Sequence, residues 1–282
     1  MKRRKFIQTS AIAAAGMLTL PSFFAEAKGK KAIGLQLYTL RDVIMNDVKG
    51  TLAAVASWGC TEVETYGYAD GKLFGMPVSE FSAYLQSLGI KVASGHYGID
   101  LLSGDWDKAC ADAQSMGQEY VVVPWLDKQY YSSLDELKRT CEKINKAAVV
   151  AKKYKVRMGY HNHAFEFEQV EGRVMFDVML EELDPKLVGM EMDLYWVVNA
   201  NQDPIKYFEK YPGRFELWHV KDMDKNKREN NADVGTGSID FVSLFKAAKK
   251  SGLKKFFVEQ ETYPSDPMRS AENSIKYMKT IL

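Results

Sequence analysis

Four histidines and a handful of carboxylates are the side chains of this 282-residue chain whose types and spacing could do chemistry. His96, His161, His163 and His219 each close a short apolar stretch, and Asp193 and Glu259 close two others. Neutral imidazole and carboxylate together suit Mn, Co, Zn or Fe, whereas an all-oxygen set would suit Mg or Ca. His161, Asp193, His219 and Glu259 form the candidate metal set. Four protein ligands plus two substrate oxygens require five or six coordination. That favours Mn or Co over a closed tetrahedral Zn site, with Zn, Mg and Fe as lesser candidates. The competing reading is a hydrogen-bonded polar network without metal.

The elements that must position these residues read as eight strand–helix units. Short apolar runs at 33–38, 61–66, 90–96, 120–125, 156–162, 187–193, 215–220 and 255–260 predict strands. Amphipathic segments near 47–58, 78–88, 105–116, 133–154, 174–183, 203–210, 240–251 and 268–281 predict helices. Cap residues such as Ser133 and Asp240 precede some of them, and Gly59, Gly89, Gly117 and Gly252 follow others. Eight such units predict a single-domain α/β fold, the (β/α)8 TIM barrel. A doubly wound sheet is the runner-up, but no GxGxxG follows an early strand. Gly235-Thr236-Gly237 is expected to shape a loop.

In a barrel, alternate strand residues point inward and chemistry gathers at the C-terminal ends. One consistent choice ends the eight strands on Gln36, Glu64, His96, Trp125, His161, Asp193, His219 and Glu259. The same alternation turns Val92, Val121, Val123, Leu217 and Phe257 inward, together with Glu62, Arg157 and Glu191. An unpaired charge inside would be costly, so Arg157 is expected to offset an acid.

Residues 1 to 27 read as an export signal of twin-arginine type, with Lys2-Arg3-Arg4-Lys5, an uncharged stretch from Ile7 to Leu20, and Ala25-Glu26-Ala27. The apolar run is too short to span a membrane. Residues 28 to 282 are then the barrel, exported to the periplasm. The chain has 38 basic and 37 acidic residues, net +1. The signal holds four of the basic ones and Glu26, which leaves 34 against 36. That balance argues against a nucleic-acid partner. Cys60, Cys110 and Cys141 show no CxxC spacing and read as buried thiols.

From about residue 32 to 281 the chain resembles the xylose isomerase-like barrel superfamily, which includes sugar isomerases and epimerases, inosose dehydratases and the apurinic endonuclease fold. Gly34-Leu35-Gln36-Leu37-Tyr38-Thr39-Leu40-Arg41-Asp42, Tyr160-His161-Asn162-His163-Ala164-Phe165-Glu166-Phe167, Met192-Asp193-Leu194-Tyr195-Trp196, Trp218-His219-Val220-Lys221-Asp222 and Phe257-Val258-Glu259-Gln260 carry the likeness. The resemblance implies Asp193, His219 and Glu259 as metal ligands. It places His161 where the epimerases carry a Glu that exchanges protons opposite Glu259. Trp196 stands where many relatives have His.

The implied chemistry is metal-assisted proton removal next to the carbonyl of a sugar or keto sugar, through an enediolate, as in a sugar isomerase or epimerase. Glu259 would be ligand and base, and His163, His96 or Glu166 the second acid or base. Lys221 would hold the oxyanion. Gln36, Tyr38, Glu64, His96, Trp125 and Trp196 would bind substrate, with Tyr66 beside them. The bland readings are rim packing for the aromatics, a Lys221–Asp222 ion pair, loop acids for Glu166 and Glu168, and Glu64 ordering a basic side chain. Loss of a β-hydroxyl from the same enediolate would instead make the protein a dehydratase or lyase acting on a keto sugar or inosose. No P-loop or arginine cluster awaits a phosphate. A non-catalytic periplasmic sugar-binding barrel is the reading from another class. The expected partner is a small sugar or polyol, with no nucleic acid and no membrane span; a second copy of the chain is an additional candidate.

Overall fold

A computed structural model describes residues 32–282. The signal expected at residues 1–27 lies outside the described residues. Eight parallel strands close into a barrel: β1 (Gly34–Gln36), β2 (Glu62–Thr65), β3 (Lys91–His96), β4 (Tyr120–Val123), β5 (Arg157–His161), β6 (Val188–Asp193), β7 (Leu217–Val220) and β8 (Lys255–Val258). Each pairs with its neighbours in sequence, and β8 pairs with β1. This is the (β/α)8 TIM barrel that the strand–helix alternation predicts.

The outer layer comprises α1 (Val48–Ser57), α2 (Val78–Ser87), α3 (Trp106–Ser115), α4 (Leu134–Lys153), α5 (Met175–Glu182), α6 (Leu194–Asn199), α7 (Pro204–Lys210), α8 (Phe241–Lys246), α9 (Ala248–Ser251) and α10 (Pro267–Ile281). Ser133 caps α4 by accepting from the Glu136 N–H at 3.1 Å, and Asp240 caps α8 through the Ser243 N–H. Gly252 ends α9 at φ 90°, where a side chain would be strained. The expected helix 240–251 divides into α8 and α9 at Ala247. Cys60, Cys110 and Cys141 are free and buried.

Two stretches face differently from the expected alternation. Ala93, Tyr120, Val122, Leu217 and Phe257 form the cluster inside the barrel, whereas Val92, Val121 and Val123 pack in the layer under the helices. On β4 the run Tyr-Val-Val-Val is apolar throughout, so its composition carries no phase. Trp125 therefore does not close an inward row; it lies beyond the strand and is 48% exposed. On β3 the register shifts: Val63 pairs with Val92, but Glu64 pairs with Ser94. The extra residue resets the alternation, so Val92 faces out while His96 still reaches the interior. Space inside is tight near β1, where a Cβ on Gly34 would lie 2.4 Å from the Phe257 ring.

The loops at the C-terminal end carry what periodicity did not announce. Helix α6 follows Asp193 directly and is capped by it: Asp193 Oδ1 accepts from the Trp196 N–H at 3.0 Å. Three small hairpins pair Lys72–Leu73 with Met76–Pro77, Gln169–Val170 with Arg173–Val174, and Asp222–Met223 with Asn231–Ala232.

Candidate metal centre and pocket

A pocket of about 710 Å³ opens at the C-terminal ends of the strands. Tyr38, Tyr66, His96, Trp125, His161, His163, Trp196 and Glu259 line it. Tyr38 and Tyr66 meet edge to face at 5.1 Å on one side, and Trp125 meets His163 edge to face at 4.7 Å on the other. Gln36 and Glu64, expected to touch substrate, are fully buried and lie outside the lining.

His161, Asp193, His219 and Glu259 converge, with one ligand atom from each within 4.8 Å of the others. His161 Nε2 is 3.5 Å from Asp193 Oδ2, and His219 Nδ1 is 3.0 Å from Glu259 Oε2. Burial, with His219 and His96 close by, holds His161 far below the usual imidazole range, so it is neutral. Despite the burial of Glu259, Lys221 and His219 keep its carboxyl well below the usual range, so it is ionised. A divalent ion fits this set. His161 Nε2 is buried without a hydrogen-bond partner, Asp193 Oδ2 is held only by an ion pair with Lys221, and mixed imidazole and carboxylate donors suit a borderline ion.

Lys221 is fully buried at the edge of this set. Its Nζ is 2.9 Å from Asp193 Oδ2, 2.8 Å from Glu259 Oε2 and 2.5 Å from Glu261 Oε1. It lies outside the pocket lining, so its observed contacts are with the carboxylates rather than with the space where an oxyanion would form. It does not pair with Asp222. Asp222 instead accepts the N–H groups of Met223, Gly235, Gly237 and Ile239, fixing the loop after β7. Gly237 has to lack a side chain there, since a Cβ would meet Asp222 Oδ1 and the Met223 carbonyl at 2.3 Å.

Glu166 also sits differently from the expectation. It is fully buried, accepts from the Tyr160 hydroxyl and the His163 N–H at 2.8 Å each, and does not line the pocket. Burial pushes its carboxyl up to about 8. The loop acid that lines the pocket is Glu168. His163 is held down to about 2 by burial and by His161 and Lys221, and is therefore neutral. Its Nδ1 and the Trp196 Nε1 are buried and unpartnered.

Below the rim set lies a second group, Glu64, His96, Glu191 and His219. Glu64 orders imidazoles, not a basic side chain: His219 Nε2 is 2.6 Å and His96 Nε2 3.2 Å from its Oε2, and Gln36 Nε2 donates to it at 2.8 Å. Burial and the neighbouring Glu64 raise Glu191 to about 7. Against the cost of burial, Glu64 and Glu191 raise His96 to about 9. The sequence marked Glu191 only as an inward acid; its offset of two from Asp193 was the available signal. Nothing in the pattern singled out Glu261, which lines the pocket and holds Lys221.

Comparison with known proteins agrees with this architecture. The family model for the xylose isomerase-like TIM barrel matches residues 52–281. An inosose dehydratase of Clostridium perfringens is 25% identical over 181 residues, which are 57% of this chain and 60% of that protein. The match thus spans about three fifths of the curated relative's length. A sugar phosphate isomerase/epimerase from Parabacteroides distasonis superposes with a TM-score of 0.80 at 26% identity, over 90% of this chain and 96% of that one. The IolI protein, solved with a bound zinc atom, shares the fold at a TM-score of 0.72 and 13% identity, over 89% of this chain and 98% of that one.

Proposed function

The chain belongs to the xylose isomerase-like TIM barrel family, and on that premise we propose that it removes a proton next to the carbonyl of a keto sugar or keto-inositol, with a divalent metal ion as cofactor. One observation carries the reading: Glu259 is an ionised carboxylate that both lines the pocket and belongs to the His161–Asp193–His219–Glu259 set. Those four residues would hold the ion, Mn or Co first. Once bound, it would polarise the carbonyl and stabilise the charge developing on its oxygen.

The chain's own residues supply the rest. Glu259 takes the proton. Lys221, locked between Asp193, Glu259 and Glu261, aims the Glu259 carboxylate and keeps it charged. His163, neutral and unpartnered at Nδ1, offers a hydrogen bond to a substrate hydroxyl, and Trp196 Nε1 offers another. Tyr38 and Trp125, the exposed aromatics of the mouth, stack on the apolar face of a sugar ring. No Lys or Arg lines the pocket among the described residues, which supports an unphosphorylated substrate.

The outcome this set favours is elimination, in which the C–O bond to the β-hydroxyl breaks and the hydroxide leaves as water with the proton that Glu259 took from carbon, hence a dehydratase or lyase. A neutral His161 stands where the family's epimerases carry the Glu opposite Glu259, so Glu259 lacks that counterpart to return a proton to the opposite face of the carbon. The likeness to inosose dehydratases supports the same outcome. Isomerisation or epimerisation is the second reading, supported by Glu168, a carboxylate that lines the pocket from the loop after β5. A periplasmic setting, expected from residues 1–27, is part of the proposal. Inososes and keto sugars offered to the Mn- or Co-loaded protein in heavy water, followed by proton NMR, test it. Exchange with loss of water supports elimination, and exchange alone supports isomerisation. Binding without exchange overturns the catalytic reading in favour of a binding protein, and neither binding nor exchange overturns both.

A further inference from the structure

The deeper group has the chemistry of a metal site in its own right. Glu64 and Glu191 are fully buried and the His96 side chain is 9% exposed, its edge opening to the pocket. Four atoms from four strands meet there. His219 Nε2 lies 2.6 Å from Glu64 Oε2 and 3.4 Å from Glu191 Oε2, and His96 Nε2 lies 2.9 Å from Glu191 Oε2 and 3.2 Å from Glu64 Oε2. Both imidazoles thus face both carboxylates. His219 Nε2 hydrogen-bonds Glu64 and His96 Nε2 hydrogen-bonds Glu191, and the two crossed distances stay within 3.4 Å. The second oxygen of each carboxylate, Glu64 Oε1 and Glu191 Oε1, is buried and has no hydrogen-bond partner. A tetrahedron of ligands about 2.0–2.2 Å from a zinc ion has edges of about 3.3–3.6 Å. Of the four nitrogen–oxygen distances, 3.4 Å lies in that range, while 3.2, 2.9 and 2.6 Å fall short of it, so an ion would draw His219 and Glu64 apart the most.

We propose that Glu64, His96, Glu191 and His219 form a second, deeper divalent-cation site with two nitrogen and two oxygen donors, suited to Zn or Co. It is separate from the rim set except for His219, which turns Nε2 to the deep group and Nδ1 to the rim. With Nε2 on the deep ion, the ring keeps its proton on Nδ1 and donates it to Glu259, 3.0 Å away. That is the carboxylate–histidine–metal arrangement that fixes a ligand's tautomer. The deep ion thus takes His219 out of the four-residue set proposed above, and the rim ion is held by His161, Asp193 and Glu259 alone. Three protein donors leave coordination positions open for a substrate, while the deep four close a tetrahedron. The deep ion holds β2, β3, β6 and β7 together beneath the pocket, and the rim ion serves the chemistry.

Metal counting tests the site without reference to turnover. The purified full chain is equilibrated with Zn(II) or Co(II), freed of loose metal, and analysed for metal per chain, together with Glu191→Gln and His161→Ala. The expected result is two equivalents in the wild type and one in each variant. One equivalent in the wild type, lost in Glu191→Gln but kept in His161→Ala, supports the deep site and contradicts the rim reading. One equivalent with the reverse pattern, or a count unchanged in Glu191→Gln, overturns the deep site. No bound metal overturns both. If Glu191→Gln fails to fold, the visible spectrum of Co(II)-loaded His161→Ala, whose rim set is broken, decides: a strong tetrahedral band supports the deep site, and its absence overturns it.

Discussion

The two ends of the barrel both carry charges, and they carry them differently. At the N-terminal end the charges on Arg157 and Lys255 are matched by acids. Arg157 forks onto Glu216 at 2.8 and 2.6 Å and donates to the Lys186 and Pro185 carbonyls, and Tyr120 adds a third donor to Glu216. Lys255 bridges Glu62 and Glu119 at 2.8 Å each. At the C-terminal end Glu64, Glu191, Asp193 and Glu259 are buried around one ammonium, Lys221, and three imidazoles. Of the nine buried side-chain atoms without a hydrogen-bond partner among the described residues, six belong to Glu64, His161, His163, Glu191, Asp193 and Trp196, the Asp193 atom having only its ion pair with Lys221. Leaving a buried polar atom unpaired costs stability, so their concentration at one end marks groups kept for a ligand. Charge at the base of the barrel holds the fold, and charge at the rim waits for a cation and a substrate.

That contrast can be broken from either end. The largest effect is expected at the rim. Lys221→Met leaves Asp193 and Glu259 without their ammonium, and removing one partner of a buried ion pair costs roughly 3–5 kcal/mol. Urea unfolding of the metal-free variant should show that loss, and saturating Mn or Co should recover part of it by mass action. A loss below about 1 kcal/mol would show that the carboxylates do not depend on Lys221. Next comes the base. Arg157→Ala removes hydrogen bonds to a charged partner in a partly exposed pair and should cost about 1–3 kcal/mol. Metal content and any turnover should stay at wild-type levels. A change in either would mean that the two ends are coupled.

The smallest effect is a slope. Glu166 holds its proton up to about pH 8 in the folded chain, against an ordinary carboxyl value of 4.5 once unfolded. Between those values the folded state binds more protons than the unfolded state, so stability should fall as pH rises from about 4.5 to about 8, then level off. The slope is at most about 1.4 kcal/mol per pH unit. Glu166→Gln should flatten that decline in denaturation curves taken across the window. An unchanged slope would place its origin elsewhere.

Sequence pattern made the fold readable because each βα unit alternates an apolar run with an amphipathic one. All eight strands and all the main helices stand where that alternation puts them. It also brought His161, Asp193, His219 and Glu259 to one place, since they close consecutive strands. Three things escaped it. The phase of β4 was hidden because Tyr120 to Val123 are all apolar. The bulge opposite β2 shifted β3 by one residue, which no periodicity announces. The direction of loop side chains was also out of reach: Glu166 turns under the loop to Tyr160 while Glu168 turns to the pocket, two residues apart. Lys221 follows His219 by two, yet its role depends on Glu261 arriving from the loop after β8, a contact across 40 residues.

The central claim is that Glu259 takes a proton from carbon at the rim. Deuterium uptake at the carbon beside the carbonyl, followed by proton NMR in heavy water on an inosose or keto sugar, tests it most directly. The comparison is between Mn- or Co-loaded wild type and Glu259→Gln at matched metal content. The account predicts a loss of about 10²–10⁴-fold in the exchange rate, the usual contribution of a positioned general base. Exchange at the wild-type rate in the variant would contradict it.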